Sequence, residues 1–301
     1  MTDNALPILA CGSVDLGPTS AEQLTDLREM LKASIAKPPR RLSRFIQLAM
    51  IGAARCVGSR QLPPDTNIYL TSGSGDFDVT FEVLERVLRD RQAPKPLSFI
   101  NTVSNAACFY LTKQFDLHGA STFVSRRCFA LESAFSQALL DAYGAGQTSS
   151  LVGSADVLTI PLDIHAARLG VSADEPLAEG AHWFLLSRSQ DDSACLGWLE
   201  DVRYYRDIDE ACSVLESLKA SNETPTLIAK GYWMSDASFT SLQSASDAGV
   251  FVPHLSPSGF YETASGLTIS DFLGREDCKG HRLVHAQVDE AGRVCLLTIR
   301  R

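Results

Sequence analysis

The chain has 301 residues, 45% apolar and 21% charged, and its 36 acidic against 27 basic side chains give a formal net charge of −9. At this length roughly three quarters of the unfolded surface can be buried, so no disulfide or metal staple is needed to hold a fold. The acidic balance excludes a nucleic-acid binder, which needs a basic face for phosphate.

No apolar run reaches the ~20 residues of a membrane span. The segment Met1–Leu9 lacks the positive start and long apolar stretch of a secretion signal. The eight cysteines are Cys11, Cys56, Cys108, Cys128, Cys195, Cys212, Cys278 and Cys295, and none forms a C-x-x-C pair. Cys56, Cys108, Cys128, Cys195 and Cys295 sit in apolar or small-residue runs, as buried thiols do. A reduced, cytoplasmic protein without a metal site or bound cofactor is expected.

In chain order, Lys37–Arg44 is the one basic concentration and leads into a helix, because Phe45, Leu48, Ala49, Gly52 and Ala53 form a helical stripe over Leu42–Val57. Asn67–Ser72 reads as a short buried strand. The turn after it, Ser72-Gly73-Ser74-Gly75, lacks the third glycine of a dinucleotide fingerprint. Phe77–Arg91 returns to helical spacing. Beyond Pro94 and Pro96, Val103–Leu117 predicts a helix with apolar positions on nearly every side. Ser121–Val124 reads as a strand, Phe129–Tyr143 as a helix with few charges, and Leu151–Ala155 as a strand. Helices apolar nearly all round must be covered on both flanks, so the alternation predicts a layered α/β fold. The polar stretch Asp163–Leu177 is the expected boundary between halves. His182–Leu186 and Ala194–Val202 then predict a strand pair, followed by short strands at Thr226–Ala229 and Val250–Pro253 and a last strand at Arg293–Ile299.

Several segments carry a resemblance. Arg41-Leu42-Ser43-Arg44-Phe45-Ile46-Gln47-Leu48-Ala49 is similar to an R-M-x-R-F-x-Q-x-A helix. Pro96–Leu111, the Gly119-to-Cys128 spacing, Leu151–Asp156 (LVGSAD) and Glu179-Gly180-Ala181 follow in matching order. On these residues the chain resembles the β-ketoacyl synthases, thiolase-fold condensing enzymes of fatty-acid and polyketide synthesis, over most of its length. The resemblance implies an α/β, thiolase-like five-layered αβαβα fold of two similar packed halves. These are a half at 1–160 carrying Cys128 and a shortened half at 161–301. It also implies that Cys128 is the nucleophile, at a helix N-terminus whose dipole and free N–H groups lower the thiol pKa, ready to accept an acyl group from a carrier-protein thioester. The bland alternative is one more buried cysteine.

The family's two histidines have no counterpart. Where the first belongs in an H-G-T-G-T run, the chain has Lys230-Gly231-Tyr232-Trp233-Met234. Where the second belongs in a K-S-x-x-G-H run, it has Leu255-Ser256-Pro257-Ser258-Gly259-Phe260. One lost oxyanion donor typically lowers the rate by about 10²–10³, so ordinary decarboxylative condensation is not expected. Lys230 is either a replacement donor or a salt-bridged surface lysine, and His254 either a replacement or a loop histidine. His182, His281 and His285 show no acidic or cysteine partner at useful spacing and read as surface or packing residues.

Three functions remain open. The first is a non-condensing subunit of the chain-length-factor type in a type II polyketide system, aryl-polyene systems included, paired with an active ketosynthase. The second is a Cys128-dependent acyltransferase, and the third a ketosynthase using Lys230 or His254. The partners implied are an acyl-carrier protein and either a ketosynthase or a second copy, with neither nucleic acid nor membrane. The strand Ser121–Val124, Phe99 and the Val103–Tyr110 helix are expected near the two-fold. Carrier docking is expected at Lys37–Arg44 or Arg126–Arg127.

Overall fold

The computed structural model describes residues 5–18, 23–172, 174–188, 195–219 and 224–301. The readings on Met1–Asn4 and Ala194 lie outside the described residues. Ser43 starts helix α2 (Arg44–Val57) by accepting the Ile46 N–H at 3.3 Å, which satisfies one of the free donors of the first turn. Ahead of it come β1 (Leu6–Leu16) and α1 (Leu27–Ser34). After it come β2 (Asn67–Ser72), α3 (Phe77–Leu84) with a π-helical turn at Glu85–Arg89, α4 (Pro96–Asn101), α5 (Ala106–Phe115), β3 (Ser121–Ser125), α6 (Ala130–Gly144), β4 (Ser149–Asp156), α7 (Leu162–Leu169) and β5 (Glu179–Ser187). The remaining elements are β6 (Gly197–Tyr205), α8 (Ile208–Lys219), β7 (Thr226–Lys230), α9 (Asp236–Ser246), β8 (Gly249–Val250), α10 (Ser265–Gly274), β9 (Arg282–Val288) and β10 (Val294–Arg300).

The strands pair in the order β3-β2-β4-β5-β1-β6-β10-β9-β7-β8. Read outward from the centre, each half runs first, fifth, fourth, second, third. In both halves the fifth strand is antiparallel to its two neighbours. The halves join where Leu6–Ile8 of β1 pairs with Gly197–Leu199 of β6. This is a two-fold internal repeat of topology that no sequence repeat announced.

Two expectations are corrected. The segments read as a strand pair, now β5 and β6, do not pair with each other, because β1 lies between them and takes an edge of each. The first half closes only with β5, beyond the division expected at residue 160, and Asp163–Leu177 lies inside it, contributing α7.

Both faces of each half-sheet are covered, and the alternation of side chains sorts those of the strands named below into three of the four buried clusters among the described residues. Trp183 and Leu185 of β5 face α2 and α5, whereas Phe184 and Leu186 face the centre. In the same way Leu297 and Ile299 of β10 face the centre, while Val294 and Leu296 face α8 and α9. The central core holds Leu131, Phe135 and Ala138 of α6 and Ile269 and Phe272 of α10 between strands of both halves. The layers therefore run helices, sheet, α6 with α10, sheet, helices: the five-layered αβαβα thiolase-like architecture. α6 is not enclosed all round, since Leu140 is exposed.

All eight cysteines are free thiols. Cys56, Cys108, Cys278 and Cys295 are buried, whereas Cys128 and Cys195, expected among the buried ones, are only half-buried. Among the described residues no helix is long and apolar enough to cross a membrane.

Candidate functional site

β3 delivers Cys128 to the start of α6. The turn from strand to helix is made at Phe129, which has φ 60° and ψ 29° and is buried. A bulky side chain rarely adopts positive φ. Its ring is held edge-on against Tyr204 at 5.8 Å and under the Arg126 guanidinium at 5.1 Å.

The thiol is not the activated one the sequence suggested. Burial pushes the Cys128 pKa up, and the Asp289 and Glu290 carboxylates push the same way. A hydrogen bond from the Glu290 backbone N–H and the charge of Arg127 oppose them without reversing the sign. The expectation of a lowered pKa fails chiefly because the thiol is partly buried, with the Asp289 and Glu290 carboxylates on the β9–β10 hairpin adding to the rise.

Lys230 ends β7 with its Nζ 2.5 Å from Asp236 Oδ1, and by that hydrogen bond it holds the aspartate below its ordinary pKa. It is thus salt-bridged at the surface. Phe260 is buried, its ring 4.0 Å from Tyr232 and 5.2 Å from Trp233 between centroids. Tyr232 itself is pushed up to about 12 by burial and the Glu175 carboxylate. Arg127 lies over Trp233 at 5.8 Å, so an aromatic stack topped by a guanidinium extends from the residue beside Cys128 to Phe260. His254 lies in an exposed loop whose backbone N–H donates to Asp271 Oδ2 at 2.7 Å. Among the described residues no hydrogen bond or ion pair links Cys128 to Lys230 or to His254.

Next to this stack lies a polar cluster that sequence reasoning missed. Asp156, at the end of β4, is fully enclosed and accepts from Ser72 Oγ at 2.6 Å, Thr263 Oγ1 at 2.7 Å and Gly73 N at 3.0 Å. Glu262 accepts from Ser74 Oγ at 2.7 Å and is pushed up to about 7, first by burial and then by the Asp156 carboxylate. The Gly73–Gly75 turn thus receives the protein's own carboxylates. Asp156 lay in a quoted motif, but Glu262 had no signal, because only the tertiary fold sets it against β4. Among the described residues no group of three or more histidine, cysteine or acidic side chains could hold a metal ion.

The remaining histidines also need revision. His182 is buried, with Nδ1 3.0 Å from Ser13 Oγ and Nε2 2.9 Å from Tyr261 Oη, and burial drives its pKa down to about 3. It is a packing histidine, as read. His285 on β9 does have an acidic partner: its Nδ1 lies 3.5 Å from Glu132 Oε1 of α6, both side chains buried in the central layer. Spacing could not reveal a pair 153 residues apart in the chain.

No protein-family model matches the chain, and no curated protein matches it in sequence. Its structure is similar to the ishigamide ketosynthase/chain length factor, with TM-score 0.75 and 18% identity over 98% of this chain and 99% of that one. It is also similar to a chain of AntDE:AntF, a type II PKS acyl-carrier protein in complex with its ketosynthase bound to the hexaketide (TM-score 0.70, 16% identity, 99% of each chain). A third match is the ketosynthase from module 1 of the bacillaene synthase from Bacillus amyloliquefaciens FZB42 (TM-score 0.68, 12% identity, 99% of this chain and 75% of that one). The chain has the fold of ketosynthases and chain length factors.

Proposed function

We propose that the protein is a cytoplasmic, non-condensing ketosynthase-like subunit of the chain-length-factor type, which pairs with an active ketosynthase of a type II fatty-acid or polyketide system. The observation that carries this reading is the state of the two donor positions. Lys230 is paired with Asp236, and Phe260 packs against Tyr232 and Trp233, so neither position presents the imidazole donor that would stabilise a thioester oxyanion.

The uncovered face supports a partner. β3 is an outer edge strand, its five residues exposed or half-buried. On α3 to α5 and their connections, of which α5 packs against β3, Phe81, Leu88, Phe99, Ile100, Val103 and Phe109 are all more than half exposed. An apolar patch of this extent beside an unpaired strand fits an interface. Of the two basic segments, Arg127 is engaged by Glu290 and Arg126 by Ser133. Lys37, Arg40 and Arg41 are exposed and make no ion pair among the described residues, so they form the surface for an acidic carrier protein.

The test has two arms. The pure protein is incubated with an acyl-carrier thioester and Cys128 is examined by mass spectrometry for an acyl adduct. The chain is also co-expressed with a ketosynthase, and the eluted mass is measured. No adduct together with a stable heterodimer supports the proposal. An adduct at Cys128 that passes its acyl group on would replace it with the acyltransferase reading, and carbon–carbon bond formation with malonyl-carrier would replace it with the ketosynthase reading.

A further inference from the structure

α3 and the π-helical turn that continues it are rich in apolar residues, yet no residue of either is buried. Phe77, Phe81, Leu84 and Leu88 recur at steps of four, three and four, the spacing of a helix that packs lengthwise on another. Phe77, at the root, stacks on Phe81 at 6.1 Å and lies beneath the Arg168 guanidinium of α7 at 5.1 Å. The other three are open to solvent, Leu88 at 72%. Along the same rod the charge changes sign, with Glu82 and Glu85 first and Arg86 and Arg89 after them. Arg89 lies 2.6 Å from Glu85 and 3.2 Å from Asp90, and Glu82 lies 3.3 Å from Lys95. All these side chains are well exposed, so their pairs are weak and free to exchange for others.

We infer that α3 receives an amphipathic helix of the proposed ketosynthase partner, laid antiparallel along the Phe81–Leu88 stripe, with an acidic start and a basic end of its own. That direction sets the incoming basic end beside Glu82 and Glu85 and the incoming acidic start beside Arg86 and Arg89. It also opposes the two helix dipoles, whereas a parallel mate would set like charge against like. The rod, eight residues of α3 and five of the turn, is about 20 Å long. Alone it is too short to bury the roughly 800 Å² per partner of a stable pair. α4 packs against it, however, and Phe99 and Ile100 of α4 are exposed as well, so the body that carries the helix covers this flank as a whole. The inference rests on the heterodimer reading above and adds the element that makes the contact and its direction.

The test reverses the polarity of the rod with Glu85→Arg combined with Arg89→Glu, which keeps the net charge and the i,i+4 pair. The Kd for the co-expressed ketosynthase is expected to rise about tenfold at low salt, and the difference to shrink as salt is added. Leu88→Asp is expected to weaken the complex further. Hydrogen exchange over 77–89 in the unmodified chain is expected to slow when the heterodimer forms, a reading that needs no variant. A heterodimer that forms but ignores the charge swap, or leaves exchange over 77–89 unchanged, would overturn this inference alone. No heterodimer with the unmodified chain would overturn the partner reading together with it. Two swapped copies remain complementary to each other. A self-pair that survives the swap and is lost with Leu88→Asp would therefore make a second copy the occupant, and would also overturn the inference.

Discussion

Arg44 and Glu179 lie 135 residues apart and meet in a two-pronged ion pair: Nε to Oε2 at 2.8 Å, and Nη2 to Oε1. Arg44 Nη1 also donates to the Thr25 carbonyl at 2.8 Å, and Glu179 Oε2 accepts the Leu158 N–H at 3.2 Å. One pair thus ties α2, the approach to α1, the segment after β4 and β5. The Glu179 side chain is 1% exposed beside its partner, so the carboxylate relies on Arg44 and the Leu158 N–H for its charge. Arg44→Met should destabilise the fold by about 3 kcal/mol or more, since an uncompensated buried charge remains. Arg44→Met with Glu179→Met should recover much of that loss, and urea unfolding of the three proteins measures the difference.

Glu262 makes stability depend on pH. Its folded pKa of about 7 lies above its ordinary value of 4.5, so the folded state holds a proton that the unfolded state has released. The associated stability is fully present below about pH 4.5 and is lost as pH rises through about 7. Glu262→Gln should flatten the fall in Tm between pH 5 and 8 relative to the unmodified protein. Equal slopes for the two proteins would mean that the carboxyl is ionised throughout.

The exposed face beside β3 is testable without harming the core. Phe99→Asp combined with Val103→Asp places charge on two side chains that are 59% and 56% exposed. Stability should change by no more than about 0.5 kcal/mol per site. Association with a co-expressed ketosynthase should be lost, as read by light scattering of the eluted peak. A complex that survives both substitutions would move the interface elsewhere.

Phe260 is structural where a histidine would be chemical. Phe260→Ala should cost about 3–5 kcal/mol by leaving a cavity under Tyr232 and Trp233. Phe260→His should not confer condensation, because Lys230 stays bound to Asp236 and the aromatic cover stays in place. Measuring product from acyl- and malonyl-carrier substrates checks this.

What the chain announced in advance were the elements whose pattern is local. α2 and α6 had long apolar stripes, and β2 and β4 were short runs buried on both faces. β1 was missed for a packing reason: a Cβ on Gly12 would sit 2.3 Å from the Cys56 backbone nitrogen of α2. The close approach of helix to strand therefore demands a residue that weakens strand propensity. α10 was missed similarly, since Gly266 must admit the His182 ring, whose Cβ would lie 2.4 Å from an added methyl. In the site, Cys128 and the two replaced histidine positions were legible from motif order. The direction of the thiol's pKa was not, because it depends first on burial and then on Asp289 and Glu290, more than 150 residues away and brought near only by β9 and β10.

The order of strands also decides how far assembly can go. The sheet ends at β3 on one side and at β8 on the other, and β8 is two residues long. Among the described residues only the β3 edge offers enough backbone to template another chain, so one flank of the sheet is sticky and the other blunt. Association through that flank is self-limiting. Pairing there, whether with a copy or with a different subunit, leaves among the described residues only the two-residue β8 at the far end of the sheet.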